Sequence, residues 1–167
     1  IYSSNNYRPG NAPYIDNNIF NSNAWYPVFL SDVRINSYKG NKGTGNGVNG
    51  FAVFGNIMDS VKWEMGASDF PFVIVSALFV DNTKKLVLPP GTVVKLLSPG
   101  EIIVYGILEA VGEDTSNIVF TSLKDDSYAG DTNGDGSATV PARGDWYGIN
   151  LSAGSNNGIG HFTYCKV

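Results

Sequence analysis

The 167 residues suit one domain with a sizeable core, and a net charge of −4 with only 11 Lys plus Arg offers no basic stripe to neutralise phosphates, which argues against a nucleic-acid partner. No apolar run reaches the ~20 residues of a membrane span, and the longest, Phe70 to Val80, fits a buried strand instead. High glycine, 13% aromatic residues and gaps filled with Asn and Ser, without helical apolar spacing, point to a β-rich protein of the extracellular space or cell surface. A single cysteine, Cys165, permits no internal disulfide.

In chain order, residues 1–24 are rich in Asn, Ser, Tyr and Pro, lack periodicity and read as an irregular, aromatic-studded stretch. Trp25 to Tyr38 shows partial β alternation through Val28, Leu30, Val33 and Ile35. The Gly/Asn segment from Lys39 to Gly50 is expected to be a mobile loop, and it lacks the Lys-Ser/Thr pair of a phosphate loop. Short strands are expected in "FAVFGNI" and "VKWEM". Residues 1–69 thus read as a loop-rich extension with short strands, packing on or capping the remainder of the chain.

From Phe70 the character changes. "LVL" at Leu86–Leu88, "IIV" at Ile102–Val104 and "IVF" at Ile118–Phe120 recur 16 residues apart, with "GTVVK" and "GILEA" between them. Short strands at a short period without helices predict a β-solenoid, whose coils must stack because none buries its apolar face alone. Further coils are expected at "GDWYGINL" and at "IGHFTYCKV", with residues 124–145 as an Asp-rich insertion. Ile1 without a leader pattern, and Val167 inside an apolar alternation, are expected to be cut ends of a longer protein.

The strand spacing, the Pro-Gly turn after "LVL", the "TS…DD" exit and the "GDW…GI" re-entry, in that order over residues 70–167, resemble the right-handed parallel β-helix repeat proteins of bacterial surfaces, relatives in fold of the pectate lyases. The resemblance implies an all-β right-handed parallel β-helix with an irregular N-terminal extension. It does not decide function, since that fold hosts lyases, hydrolases, adhesins and structural proteins.

The insertion carries the clearest chemistry. Asp131, Asn133 and Asp135 stand in a D-x-N-x-D-G pattern, with Ser137 placed to offer a backbone carbonyl at the seventh position. Alternate oxygens with a glycine at position six describe the first half of a calcium loop. The twelfth position is Ala142, where an EF-hand has Glu, so Asp145, or Asp125 and Asp126 upstream, would complete the shell. The expected ion is a structural Ca2+; the competing reading is a solvated Asx/Gly turn.

Catalytic signals are weaker. Arg8, Arg34 and Arg143 are the only arginines, and no Arg-x-Pro-x-x-Arg run of the pectate-lyase kind occurs. No second carboxylate pair lies 16 residues from Asp125 and Asp126, as an inverting hydrolase on this repeat would need. His161 has no nucleophile signature nearby, and Cys165 reads as a buried, inert thiol.

Aromatic residues in polar stretches suit stacking on sugar faces: Tyr7, Tyr14, Trp25, Tyr26, Tyr38, Trp63, Tyr128 and Tyr147. Trp146 reads as core and Tyr147 as exposed. The expected function is a non-catalytic adhesion domain on an insoluble plant polysaccharide such as cellulose. By architecture and aromatic content it is similar to the tāpirins, cellulose-binding β-helix surface proteins. The alternatives are a structural solenoid segment continuing into further chain or a neighbouring subunit, and a pectate-lyase-like enzyme.

Overall fold

The computed structural model describes residues 2–3, 14–33, 38–63, 70–151 and 158–167. All regular structure among them is β, and the strands stack in parallel as a solenoid of about four turns. None of the described residues forms a helix long and apolar enough to cross a membrane.

One sheet carries β1 (Tyr2–Ser3), β3 (Val28–Val33), β5 (Phe51–Ile57), β7 (Phe72–Val80), β9 (Val93–Leu96), β12 (Ile118–Ser122) and β15 (Cys165–Lys166) in that order. Two more strands join it, β10 (Glu101–Val104) on the far half of β7 and β13 (Gly148–Asn150) on β10. A second sheet stacks β6 (Val61–Lys62), β8 (Lys85–Leu88), β11 (Ile107–Val111) and β14 (Ile159–Thr163). A third pairs β2 (Ile19–Asn21) with β4 (Lys42–Thr44).

Alternation along each strand drives this arrangement. Inward positions align from coil to coil into ladders, Val28–Phe51–Phe72–Val94–Phe120 and Leu30–Val53–Ile74–Leu96, all buried. Each buried side chain of this size contributes about 1.5–3 kcal/mol of transfer free energy. In the early coils the core is aromatic. Trp63 stacks on Phe72 at 4.3 Å, and Tyr38 meets the edges of Phe51 and Phe72 at 5.2 and 5.0 Å.

The solenoid begins well before residue 70, because β3 and β5 pair in parallel beneath β7. Residues 39–50 are a wall of the stack, not a loose loop. Asn18 donates its side-chain amide to Asn41 Oδ1 at 3.1 Å, and Asn23 to Asn46 Oδ1 at 2.7 Å, each across a step of 23 residues. Left-handed backbone recurs at the same step, at Asn17 and Gly40, Ser22 and Gly45, Asp32 and Gly55.

The 16-residue period is also corrected. Outside the insertion, stacked partners lie 21 to 27 residues apart, as in Ala52 on Val73, Val94 on Phe120 and Tyr2 on Phe29, and across the insertion they lie 47 to 52 apart. The later coils have three short sides, so "LVL" in β8, "IIV" in β10 and "IVF" in β12 lie on three different sides and do not stack on one another. Two sides of three span roughly 16 residues, and every side buries alternate residues, so unrelated sides look alike in sequence. For the same reason β13 and β14 belong to one coil, interrupted by the insertion.

Candidate metal centre

Residues 123–147 leave the stack between β12 and β13. At this corner β7 continues as one strand through an irregularity between Ile74 and Leu78, the next coil turns at residues 97–100, and the following coil carries the whole insertion. Lys95 fastens it. In β9 it points outward, in register with Val73 and Thr121, yet it is fully buried. Its ammonium donates to the carbonyls of Asp125 and Gly130, both at 2.8 Å. Burial lowers its pKa to about 8, against the attraction of Asp126, Asp125 and Asp131.

Two carboxylates shape the insertion's ends. Asp125 Oδ2 accepts from Thr121 Oγ1 at 2.6 Å, and its Oδ1 accepts from the backbone N–H and hydroxyl of Ser127. Burial opposes its ionisation, but these bonds outweigh it and lower its pKa. Asp145 accepts from Lys124 Nζ at 2.8 Å, Ser122 Oγ at 2.7 Å and the Ala142 N–H at 2.9 Å. Lys124 first and Ser122 second bring its pKa to about 2.

Between them the chain curls around Asp131. Its Oδ1 accepts the N–H groups of Gly134 and Asp135 at 2.8 and 3.1 Å, and Oδ2 that of Gly136 at 2.8 Å. Positive φ at Gly134 and Gly136, 72° and 75°, lets successive amides turn toward one carboxylate. Asn133 Nδ2 donates to Asp135 Oδ2 at 2.7 Å, an oxygen that also accepts from Thr139. The loop also touches the early coils, where the Asn49 N–H donates to Thr132 O at 2.7 Å.

Carboxylate oxygens from Asp126, Asp131 and Asp135 converge to within 4.8 Å of one another. Asp126 Oδ1, Asn133 Oδ1 and Asp135 Oδ1 are sealed from solvent and accept no hydrogen bond. A sealed acceptor without a donor costs about 1–3 kcal/mol, and three converging carboxylates repel. A hard divalent cation relieves both, and an all-oxygen set of carboxylates and an amide suits Ca2+, which takes 6–8 such ligands in flexible geometry.

Of the expected ligands, Asp131 and Asp135 come together, with the Asn133 amide held beside Asp135. Asp126, one of the two upstream carboxylates expected as alternatives to Asp145, joins them from the insertion's start. Asp145 stands outside the group, committed to Ser122 and Lys124. Ser137 lies exposed on the turn after Gly136. Lys95 escaped the sequence reading, although a lone charge inside the apolar "TVVKLL" signals a buried partner.

The expected aromatic platform divides. Trp25, Tyr14 and Tyr147 are exposed, at 78%, 71% and 69%. Tyr26 is half-buried against Phe29, 5.8 Å between rings. Tyr128 is half-buried, its hydroxyl accepting from Lys166 Nζ at 3.1 Å. Tyr38 and Trp63 are core residues, which corrects the expectation that they meet a ligand; they pack on Phe51 and Phe72, and burial of that ring area outweighs the polar sequence around them. Trp146 packs on the core. Tyr7, Arg8 and Arg34 lie outside the described residues. Arg143 and His161 are exposed. Cys165 is half-buried, its thiol donating to Ala110 O at 3.2 Å, and burial raises its pKa.

No protein-family model, curated protein or solved structure matches the chain.

Proposed function

We propose that the chain is a non-catalytic, calcium-stapled β-solenoid of the extracellular space or cell surface, attaching to an insoluble polysaccharide such as cellulose through exposed aromatic rings. The observation that carries the ion is the convergence of Asp126, Asp131 and Asp135, with a sealed side-chain oxygen that no donor reaches on Asp126, on Asp135 and on the adjacent Asn133. The ion is structural: it fastens an insertion with almost no apolar core of its own. The non-catalytic reading is supported by the bonds of Asp125, Asp145 and Cys165, each committed to a neighbouring turn or strand. Calorimetry on EDTA-treated protein tests the ion. Calcium should bind with measurable heat and, at 100 times its Kd, stabilise the fold by about 2.7 kcal/mol. Neither heat nor a melting shift removes the site.

The adhesive part rests on Trp25, the most exposed aromatic ring among the described residues, with Tyr14 on the same coil. An indole face can lie on the C–H face of a sugar while its edge stays hydrated. In pull-downs on microcrystalline cellulose, Trp25→Ala should weaken binding about tenfold, the equivalent of about 1.4 kcal/mol. Absent binding, or binding indifferent to Trp25, Tyr14 and Tyr147, overturns adhesion.

A second reading, a structural segment that assembles with a neighbouring subunit, is favoured by the end formed by β13, β14 and β15. Among the described residues each pairs on one edge only, and Ile159, Phe162 and Tyr164 are exposed there. Concentration-dependent light scattering separates assembly from a monomeric binder.

A further inference from the structure

We infer that the ion does more than order its own loop: it is a clasp through which the late insertion holds the early coils. The inference rests on the calcium reading above and deepens it. The insertion leaves the coil of β12, yet its tip bonds to residues just before β5. Three strand steps separate those levels, Phe120 to Val94, Phe72 and Phe51, or roughly 14 Å at about 4.8 Å per step.

The bond that spans them is made by the residue between two proposed ligands. Thr132, fully buried, accepts the Asn49 N–H through its carbonyl at 2.7 Å, and its neighbours are Asp131 and Asn133. Gly134 lies against the same strip: a Cβ there would stand 3.5 Å from the carbonyl oxygen of Asn46. From Asn49 the contact is relayed inward. Asn49 Oδ1 accepts from the backbone N–H and side-chain amide of Asn46, at 3.2 and 2.9 Å. Asn46 Oδ1 in turn accepts from the backbone and side-chain amides of Asn23, at 3.0 and 2.7 Å. One hydrogen-bonded line therefore runs from the carboxylate loop across two early coils.

Without a cation, the facing carboxylates of Asp126, Asp131 and Asp135 repel, and the sealed oxygens gain by turning to water. Both changes pull on the backbone that holds Thr132 against Asn49. With the cation, opening the clasp means releasing the ion. Calcium thus controls how often the Asn wall opens, some 80 residues away in sequence from the ligands.

Amide hydrogen exchange of the EDTA-treated chain, with and without calcium, tests this at the Asn49 N–H. At calcium 100 times its Kd, exchange at Asn49 should slow about 100-fold. The Ile107 N–H, which bonds to Lys84 O in the other sheet, should change little and reports that the fold is intact. Asp126→Asn should abolish the calcium effect at Asn49 while Ile107 stays protected. Calcium heat without a change at Asn49 overturns the clasp and leaves the site standing; so does calcium protection of Asn49 that survives Asp126→Asn. Absence of calcium heat overturns both.

Discussion

Asp145 shows how a sequence position can be functional in a different sense from the one its spacing suggests. Its carboxylate pins the end of the insertion to Ser122 and Lys124. The folded pKa of about 2 lies below the unfolded value near 3.9, so the folded state binds fewer protons between the two. The pin is at full strength above about pH 4 and is lost as pH falls toward 2. Asp145→Asn should cost about 1 kcal/mol at pH 7, after allowance for solvent screening, and should flatten the acid limb of the urea midpoint. Lys95 has the same sign for the opposite reason, because burial disfavours its charged form. Its folded pKa of about 8 lies below the unfolded value near 10.4, so the unfolded state holds the proton longer and stability should rise between those values. Lys95→Met should remove that rise. At neutral pH it removes the ammonium donor from the carbonyls of Asp125 and Gly130, the second of which keeps the Thr132 hydroxyl at 3.3 Å, and denaturation midpoints at pH 7 and 9.5 measure both effects.

At the scale of elements, the Asn wall of β2 and β4 is the part least visible in the chain. Each wall strand has three residues, and its residues Lys42, Gly43 and Thr44 carry no apolar alternation. Its order comes from side-chain amides that bond across coils and from left-handed turns repeated at the same step. Asn41 and Asn46 are polar, yet buried. A polar, glycine-rich run reads as loop when judged on hydrophobicity, because the signal is a 23-residue recurrence of Asn and turn residues and not a pattern within the segment. Asn46→Ala should show the difference. It strips acceptors and donors from Asn23, Phe20 and Asn49 at once, and a cost of about 1–3 kcal/mol in chemical denaturation is expected, against a few tenths for a solvated loop. The strands β7 to β12 were legible for the converse reason: each contains two or more alternating apolar residues bounded by Gly, Pro or Asn.

For the whole molecule, stability is a sum of coil-to-coil contacts with nearest neighbours, so an attachment that skips coils has unusual weight. The insertion is such an attachment, through Lys95 at one level and Asn49 at another. Stripping calcium should therefore lower the melting temperature of the early coils more than that of β11 and β14, and residue-resolved exchange during a thermal ramp measures this.

The sequence by itself determined the class of fold, the strands from Phe70 onward and the oxygen pattern Asp131–Asn133–Asp135, because alternation and ligand spacing are properties of a few consecutive residues. Only the tertiary structure decided the length of a coil, the enlistment of residues 14–33 and 38–63 into the stack, the burial of Tyr38 and Trp63, and the choice of Asp126 over Asp145 beside the loop. The first three depend on which residues meet across coil steps of 21 or more positions. In a three-sided coil that distance is set by the closure of the chain around its core, and no local pattern states it.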